Sequence, residues 1–263
     1  MAEAAVDALL LTAARIATFQ GDQPLTNASG FYFERDGALF LVTSRHVFID
    51  TENEHHPDRI EIEIHSDAAD LAQAVAFSMP LYADGVSLWR SAEDAGGDID
   101  VALLPVDRAA LPAGHCLRAF GPADLQRPDA PLRIGHPLLI VGFPLGFQDT
   151  LHRLPVVRQA VVASAFGLRF QGLGHFLTDG RTHRGISGAA VVAHAPERAG
   201  DLPWRLAGVH SARLDLSTRD READESLGLN LAWYADVLMT LSAPPAEPAT
   251  TPAPTAVGRS PTA

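Results

Sequence analysis

Apolar residues in this chain come in short runs separated by turn-forming residues, which predicts strands rather than long helices. Phe31-Tyr32-Phe33 and Leu39-Phe40-Leu41-Val42 flank Asp36-Gly37 and read as a hairpin over residues 31–43, the Asp-Gly pair supplying the turn. Residues 9–20 suit either a helix or a strand, and the β-rich stretch that follows favours a first strand by about Ala14. Residues 60–65 alternate apolar and polar as a half-buried strand does, and residues 101–106 are a short apolar run suited to a buried strand. A softer stretch rich in Pro, Ala, Asp and Arg, residues 107–131, marks a seam. Beyond it, strands are predicted at 137–144, 155–164, 175–178, 189–193 and 205–210, and the apolar spacing over 231–241 predicts a closing C-terminal helix. The fold class is therefore all-β, with two small antiparallel barrels over about 14–110 and 131–230 in one domain spanning 1–242. Residues 243–263 are Pro, Ala and Thr without periodic apolar positions, and read as a disordered tail.

Composition narrows the function classes. With 47% hydrophobic and 20% charged residues the chain is an ordinary globular one. A net charge of -12 without any basic cluster argues against nucleic acid as a partner. Cys116 is the only cysteine, so no intrachain disulfide forms, and the cytoplasm is the expected compartment. The N-terminus is acidic where a secretory leader would be basic, and no run approaches the roughly 18 apolar residues of a membrane span. No membrane partner is expected.

The candidate chemistry lies in three motifs. Gly185-Ile186-Ser187-Gly188 places a serine between glycines, with His46 in Thr43-Ser44-Arg45-His46-Val47 and Asp100 in Asp100-Val101-Ala102-Leu103-Leu104 upstream. A serine hydroxyl is a poor nucleophile near neutral pH and needs a histidine to take its proton and an acid to hold that histidine's tautomer. Small residues beside it let the chain turn tightly enough to aim backbone N–H groups at a developing oxyanion. Asp98 competes with Asp100, which is preferred because it directly precedes the strand. His55-His56 beside Glu52 and Glu54 suggest a metal, yet neighbours in a polar loop rarely converge on one ion, so no metal and no cofactor is expected. Cys116 reads as a small buried hydrophobe.

These motifs resemble those of the trypsin-like, chymotrypsin-fold serine peptidases, in particular the bacterial disulfide-free branch that includes the HtrA/DegP-type proteases. The similarity covers roughly residues 14–241 and extends to Ala28-Ser29-Gly30 ahead of the hairpin, Gly142-Phe143-Pro144-Leu145-Gly146, and Thr178-Asp179 eight residues before Ser187. The resemblance implies two six-stranded barrels with the site between them. It also implies that His46 is the general base, Asp100 its orienter and Ser187 the nucleophile, with the backbone N–H groups of Gly185 and Ser187 as the oxyanion hole. The substrate is then a protein or peptide. Two departures stand out. Gly188-Ala189-Ala190 replaces the usual Gly-Gly-Pro after the serine. Ile186 stands where zymogen-activated members carry an aspartate, which argues against trypsinogen-style activation.

Specificity rests on fewer residues. Thr182, five before the serine, and Gly208-Val209-His210 resemble segments of the bacterial glutamyl endopeptidases, so Thr182, His210 and Ser211 are expected to line the pocket for the residue before the cut and to favour Glu or Asp. His210 reads equally well as a packed strand histidine. Arg181, His183 and Arg184 are either a basic rim or ordinary loop charge. A self-contained intracellular peptidase must be restrained, which predicts narrow specificity or a regulatory protein partner. The alternatives of a catalytically idle peptidase-fold module that binds a peptide, or an esterase with the same triad, stay open at this point.

Overall fold

The computed structural model describes residues 6–127, 129–214 and 228–244. Apart from two hairpins of two-residue strands, the first half forms one sheet of six strands: β1 (Ala13–Gln20), β2 (Gln23–Arg35), β3 (Ala38–Thr43), β4 (Arg59–His65), β5 (Ala74–Pro80) and β6 (Ala102–Val106). They order as β6-β3-β2-β1-β4-β5 in a curled antiparallel sheet whose end strands share no ladder. The β2–β3 hairpin turns at Asp36 and Gly37, both at positive φ (51° and 81°), the two-residue geometry that matches strand twist. β4 alternates intermediate and buried positions along its length, with Ile60, Ile62 and Ile64 facing inward.

The second half closes fully. β7 (Pro137–Gly142), β8 (Val156–Val162), β9 (His175–Asp179), β10 (Ala190–His194), β11 (Trp204–Arg213) and β12 (Leu229–Tyr234) form a barrel in the order β7-β8-β9-β12-β11-β10. Residues 231–234, expected as helix, are strand. β12 pairs with β9 on one side and β11 on the other, so its backbone groups are satisfied by ladders on both edges, which outweighs the helical apolar spacing. The C-terminal helix α1 is only Val237–Leu241. It docks on the first half, where Arg35 donates to the Met239 carbonyl (2.6 Å) and Arg90 to those of Leu241 (3.3 Å) and Ala243 (2.8 Å). The tail expected from 243 lies, from 245 onward, outside the described residues.

Three apolar clusters hold the molecule together. One fills the curled sheet (Ile16, Leu41, Phe48, Ile60, Leu104) and one the barrel (Leu138, Ile140, Val162, Phe176, Ile186). The third joins the halves, with Phe31, Phe33, Val42 and Leu103 packed together with Val141, Val192, Val209 and Trp233. Each such side chain contributes about 1.5–3 kcal/mol on burial, so the halves are fixed against each other without a disulfide. A polar clamp adds to this, since Arg15, Arg153 and Gln148 all converge on the Glu63 carboxylate of β4.

Candidate active site

Strand pairing brings the three motifs together. β3 and β6 are neighbours with Thr43 opposite Ala102. His46 lies just past β3 in a single 3-10 turn, Arg45–Val47, and Asp100 lies just before β6, so antiparallel pairing delivers both to one end of the sheet. In the barrel, Ala190 of β10 pairs with Val141 of β7 and Val209 of β11. Ser187 ahead of β10, Phe143 after β7 and Ser211 on β11 are thereby carried to one edge. Ser29 links this edge to the first half, its N–H donating to the Ser187 carbonyl at 3.0 Å.

Asp100 is held by three donors. Oδ1 accepts the His46 backbone N–H at 2.8 Å, while Oδ2 lies 2.8 Å from His46 Nδ1 and accepts the Ser211 hydroxyl at 2.5 Å. Asp98 instead pairs with Arg45 at 3.1 Å. Burial alone would raise the Asp100 pKa, but the bonds and charge from His46 and the Ser211 hydroxyl outweigh it and leave the carboxyl below its ordinary range. For His46, burial disfavours the charged ring, yet the Asp100 hydrogen bond and the charges of Asp100 and Asp50 prevail and raise its pKa.

The raised His46 pKa bears on activity if Ser187 passes its proton to this ring, as expected from the sequence: kcat/KM should then fall on acidification with a midpoint above the ordinary histidine value of 6.5. Asp100 stays ionised across that range. A pH–rate profile checks it, and a midpoint below 6.5 would contradict the arrangement.

Ser187 is fixed through its neighbours. Ile186 is 1% exposed in the barrel core, and the Gly188 N–H donates to the His210 carbonyl at 2.7 Å. Gly185 has φ +86°, and a Cβ there would sit 2.9 Å from both Leu145 N and the Phe143 carbonyl, so only glycine fits. The same holds at Gly188 (φ +85°), where a Cβ would run into Thr43 Oγ1 and the Ser29 carbonyl. The N–H groups of Gly185 and Ser187 donate to no acceptor among the described residues, leaving two backbone donors beside the hydroxyl. Ser187 is half-buried, and its hydroxyl has no hydrogen-bond partner among the described residues. No hydrogen bond therefore joins Ser187 to His46, whose partner is Asp100.

The residues expected to line the specificity pocket divide. The Ser211 hydroxyl donates to Asp100 Oδ2. A bulge between His210 and Ala212 breaks the β11 alternation and turns Ser211 toward the acid. Thr182 donates to Asn230 Oδ1 at 2.5 Å, and the Asn230 amide donates to the carbonyls of Thr178 (3.3 Å), Gly180 (2.8 Å) and Gly228 (3.3 Å). Thr182 and Asn230, the latter without any signal in the sequence pattern, thus form a buried brace under the segment that precedes Ser187. His210 is 1% exposed with Nδ1 buried and unpartnered among the described residues. Burial, then the charges of His46 and Arg213, push its pKa down to about 3, so the ring is neutral near neutral pH.

Elsewhere, His55 Nε2 lies 3.1 Å from the Val47 carbonyl. Among the described residues no set of His, Cys, Asp and Glu gathers as metal ligands. Cys116 is half-buried, and burial raises its thiol pKa.

A family model described as a trypsin-like peptidase domain matches residues 28–198. Among solved structures, the chain is similar to the serine endoprotease of Yersinia pestis, with 16% identity and a TM-score of 0.52 over 92% of this chain and 66% of that one. It is similar to the scabies mite inactivated protease paralogue S-I1, with 17% identity and a TM-score of 0.50 over 90% of this chain and 95% of that one. It is also similar to a protease of M. tuberculosis in its active form, with 14% identity and a TM-score of 0.50 over 90% of this chain and 82% of that one. The chain thus spans just under two thirds of the Yersinia protein, at 66%. At such identities the likeness is one of fold. An active protease and an inactivated paralogue fit equally well, so the fold leaves activity to be decided by the site. No curated protein matches the chain in sequence.

Proposed function

The chain belongs to the family of trypsin-like peptidase domains, and on that premise we propose that it is a serine endopeptidase working through an acyl-enzyme. Ser187 attacks the carbonyl carbon as His46 takes its proton, and Asp100 steadies the imidazolium. The N–H groups of Gly185 and Ser187 bind the oxyanion. The imidazolium then protonates the leaving amine, and water, deprotonated by the same ring, releases the acyl group. The observation that carries this reading is the His46–Asp100 pair with its third donor, Ser211, on the carboxylate. Such a wiring serves to hold one imidazole tautomer, with Nε2 free to accept a proton. Labelling by a fluorophosphonate, lost in Ser187→Ala, tests it, and a folded protein that takes no label would favour a peptide-binding module.

We further propose a preference for Glu or Asp before the cut. The support is now His210, a buried neutral imidazole with an unpartnered nitrogen, and the Arg213 cation close enough to depress its pKa. Thr182 contributes by bracing the pocket wall through Asn230. In a peptide library, cleavage after Glu or Asp should exceed cleavage after Leu or Arg by at least about tenfold, with His210→Ala removing most of the difference. Equal or faster cleavage after Arg or Leu would refute the preference. A reducing, cytoplasmic setting suits a chain whose one cysteine makes no bridge, and a protein partner that restrains activity fits the same proposal.

A further inference from the structure

Ser29 stands where the first half of the molecule meets both segments that shape the oxyanion site. It is 0% exposed on β2. Its hydroxyl donates to the Gly185 carbonyl at 2.8 Å and accepts the Phe143 N–H at 2.8 Å. Its own N–H donates to the Ser187 carbonyl (3.0 Å), and its carbonyl accepts the Thr43 hydroxyl (2.8 Å). One residue therefore binds the backbone before and at the nucleophile, the loop beside it, and the strand that leads to His46. We propose that Ser29 is a positioning residue whose hydroxyl holds the oxyanion-binding loop in its working shape from across the interface between the two halves. The proposal rests on the serine-peptidase reading for its consequence in activity, though not for its geometry.

The loop needs such a support. Leu145 and Gly146 are left-handed, with φ of 56° and 71°, and for leucine that conformation is strained. Leu145 N–H donates to the Arg184 carbonyl at 2.6 Å. Because a trans peptide points its C=O and N–H to opposite sides, that bond turns the Gly185 N–H away from the loop, as an oxyanion donor requires. The Gly185 carbonyl, one peptide on, is fixed by Ser29. The hydroxyl thus ties down the far side of the same glycine whose N–H must be aimed. Gly142 makes room for it, since a Cβ at that position would lie 2.5 Å from Ser29 Oγ.

A role in shape-filling alone would make Ser29→Ala less stable without changing the chemistry. Two readouts separate the cases. In Ser29→Ala, the maximal rate of fluorophosphonate labelling should fall about 10–100-fold with little change in the half-saturating concentration, less than the loss expected on deleting an oxyanion donor outright, and Ser29→Thr, which keeps a hydroxyl, should recover most of the rate. Amide hydrogen exchange at Phe143 and Leu145 should also quicken about tenfold or more in Ser29→Ala, with β7 and β10 unchanged. Labelling and exchange both within about twofold of wild type, in a folded Ser29→Ala, would overturn the proposal. If the wild type takes no label at all, the nucleophile reading fails and exchange alone decides on Ser29, quickened exchange supporting the clasp and unchanged exchange refuting it.

Discussion

Asp100→Asn should lower kcat for peptide hydrolysis by about 10⁴-fold while the protein stays folded and His46 stays in place. The reason lies in what each carboxylate oxygen accepts. Oδ1 takes the His46 backbone N–H, and Oδ2 takes the Ser211 hydroxyl and faces His46 Nδ1. With asparagine, the amide oxygen can satisfy the backbone N–H, but the NH2 then faces His46 Nδ1. That forces Nδ1 to become an acceptor and moves the ring proton to Nε2, where it blocks transfer from Ser187. The imidazolium also loses its counter-charge. Steady-state kinetics at fixed pH, alongside a circular-dichroism melt, check this. A loss of less than about tenfold would mean that Asp100 does not set the tautomer.

Ile186→Asp carries the second large effect, on stability. The trypsinogen-type switch places an aspartate before the serine, and this chain has instead a side chain 1% exposed, packed in the barrel core. A carboxylate there would be buried without a partner, and an uncompensated buried charge costs about 3–5 kcal/mol. For a chain of this size that corresponds to a Tm lower by roughly 6–20 °C. Leucine or valine at 186 should be tolerated within about 1.5 kcal/mol. Urea melts of the three variants decide it, and an Ile186→Asp protein as stable as wild type would show that a compensating cation reaches position 186. Ile186 anchors the segment ahead of Ser187 in the barrel core, and the Ser29 hydroxyl holds the Gly185 carbonyl beside it.

Local pairing made much of this legible in the sequence. The 31–43 hairpin follows from Asp36-Gly37 between apolar runs, and β4 from strict alternation. His46 and Asp100 could be located because each adjoins a strand whose apolar run is plain. What the text concealed is set by contacts between distant segments. β5 is a largely exposed edge strand, with little buried apolar face to mark its period. β12 carries an apolar spacing compatible with a helix and becomes a strand because ladders wait on both sides. The bond from Ser211 to Asp100 was hidden too, because alternation does not show the bulge that aims this hydroxyl. Ser29 was visible only as a small residue before Gly30, since its partners lie 114 and 156 residues away. Asn230 is likewise a brace that only the closed barrel brings under Thr182.

An activated Ser187, as proposed, should react covalently with an electrophile that traps serine nucleophiles. Purified wild type, Ser187→Ala and His46→Ala, each shown to be folded by circular dichroism, are incubated with a fluorophosphonate and analysed by intact-mass spectrometry. The wild type should gain one adduct, mapped to the peptide that contains Ser187, while neither variant gains any over the same time. A wild type that stays unlabelled, or an adduct that persists in Ser187→Ala, would show that Ser187 is not the activated nucleophile.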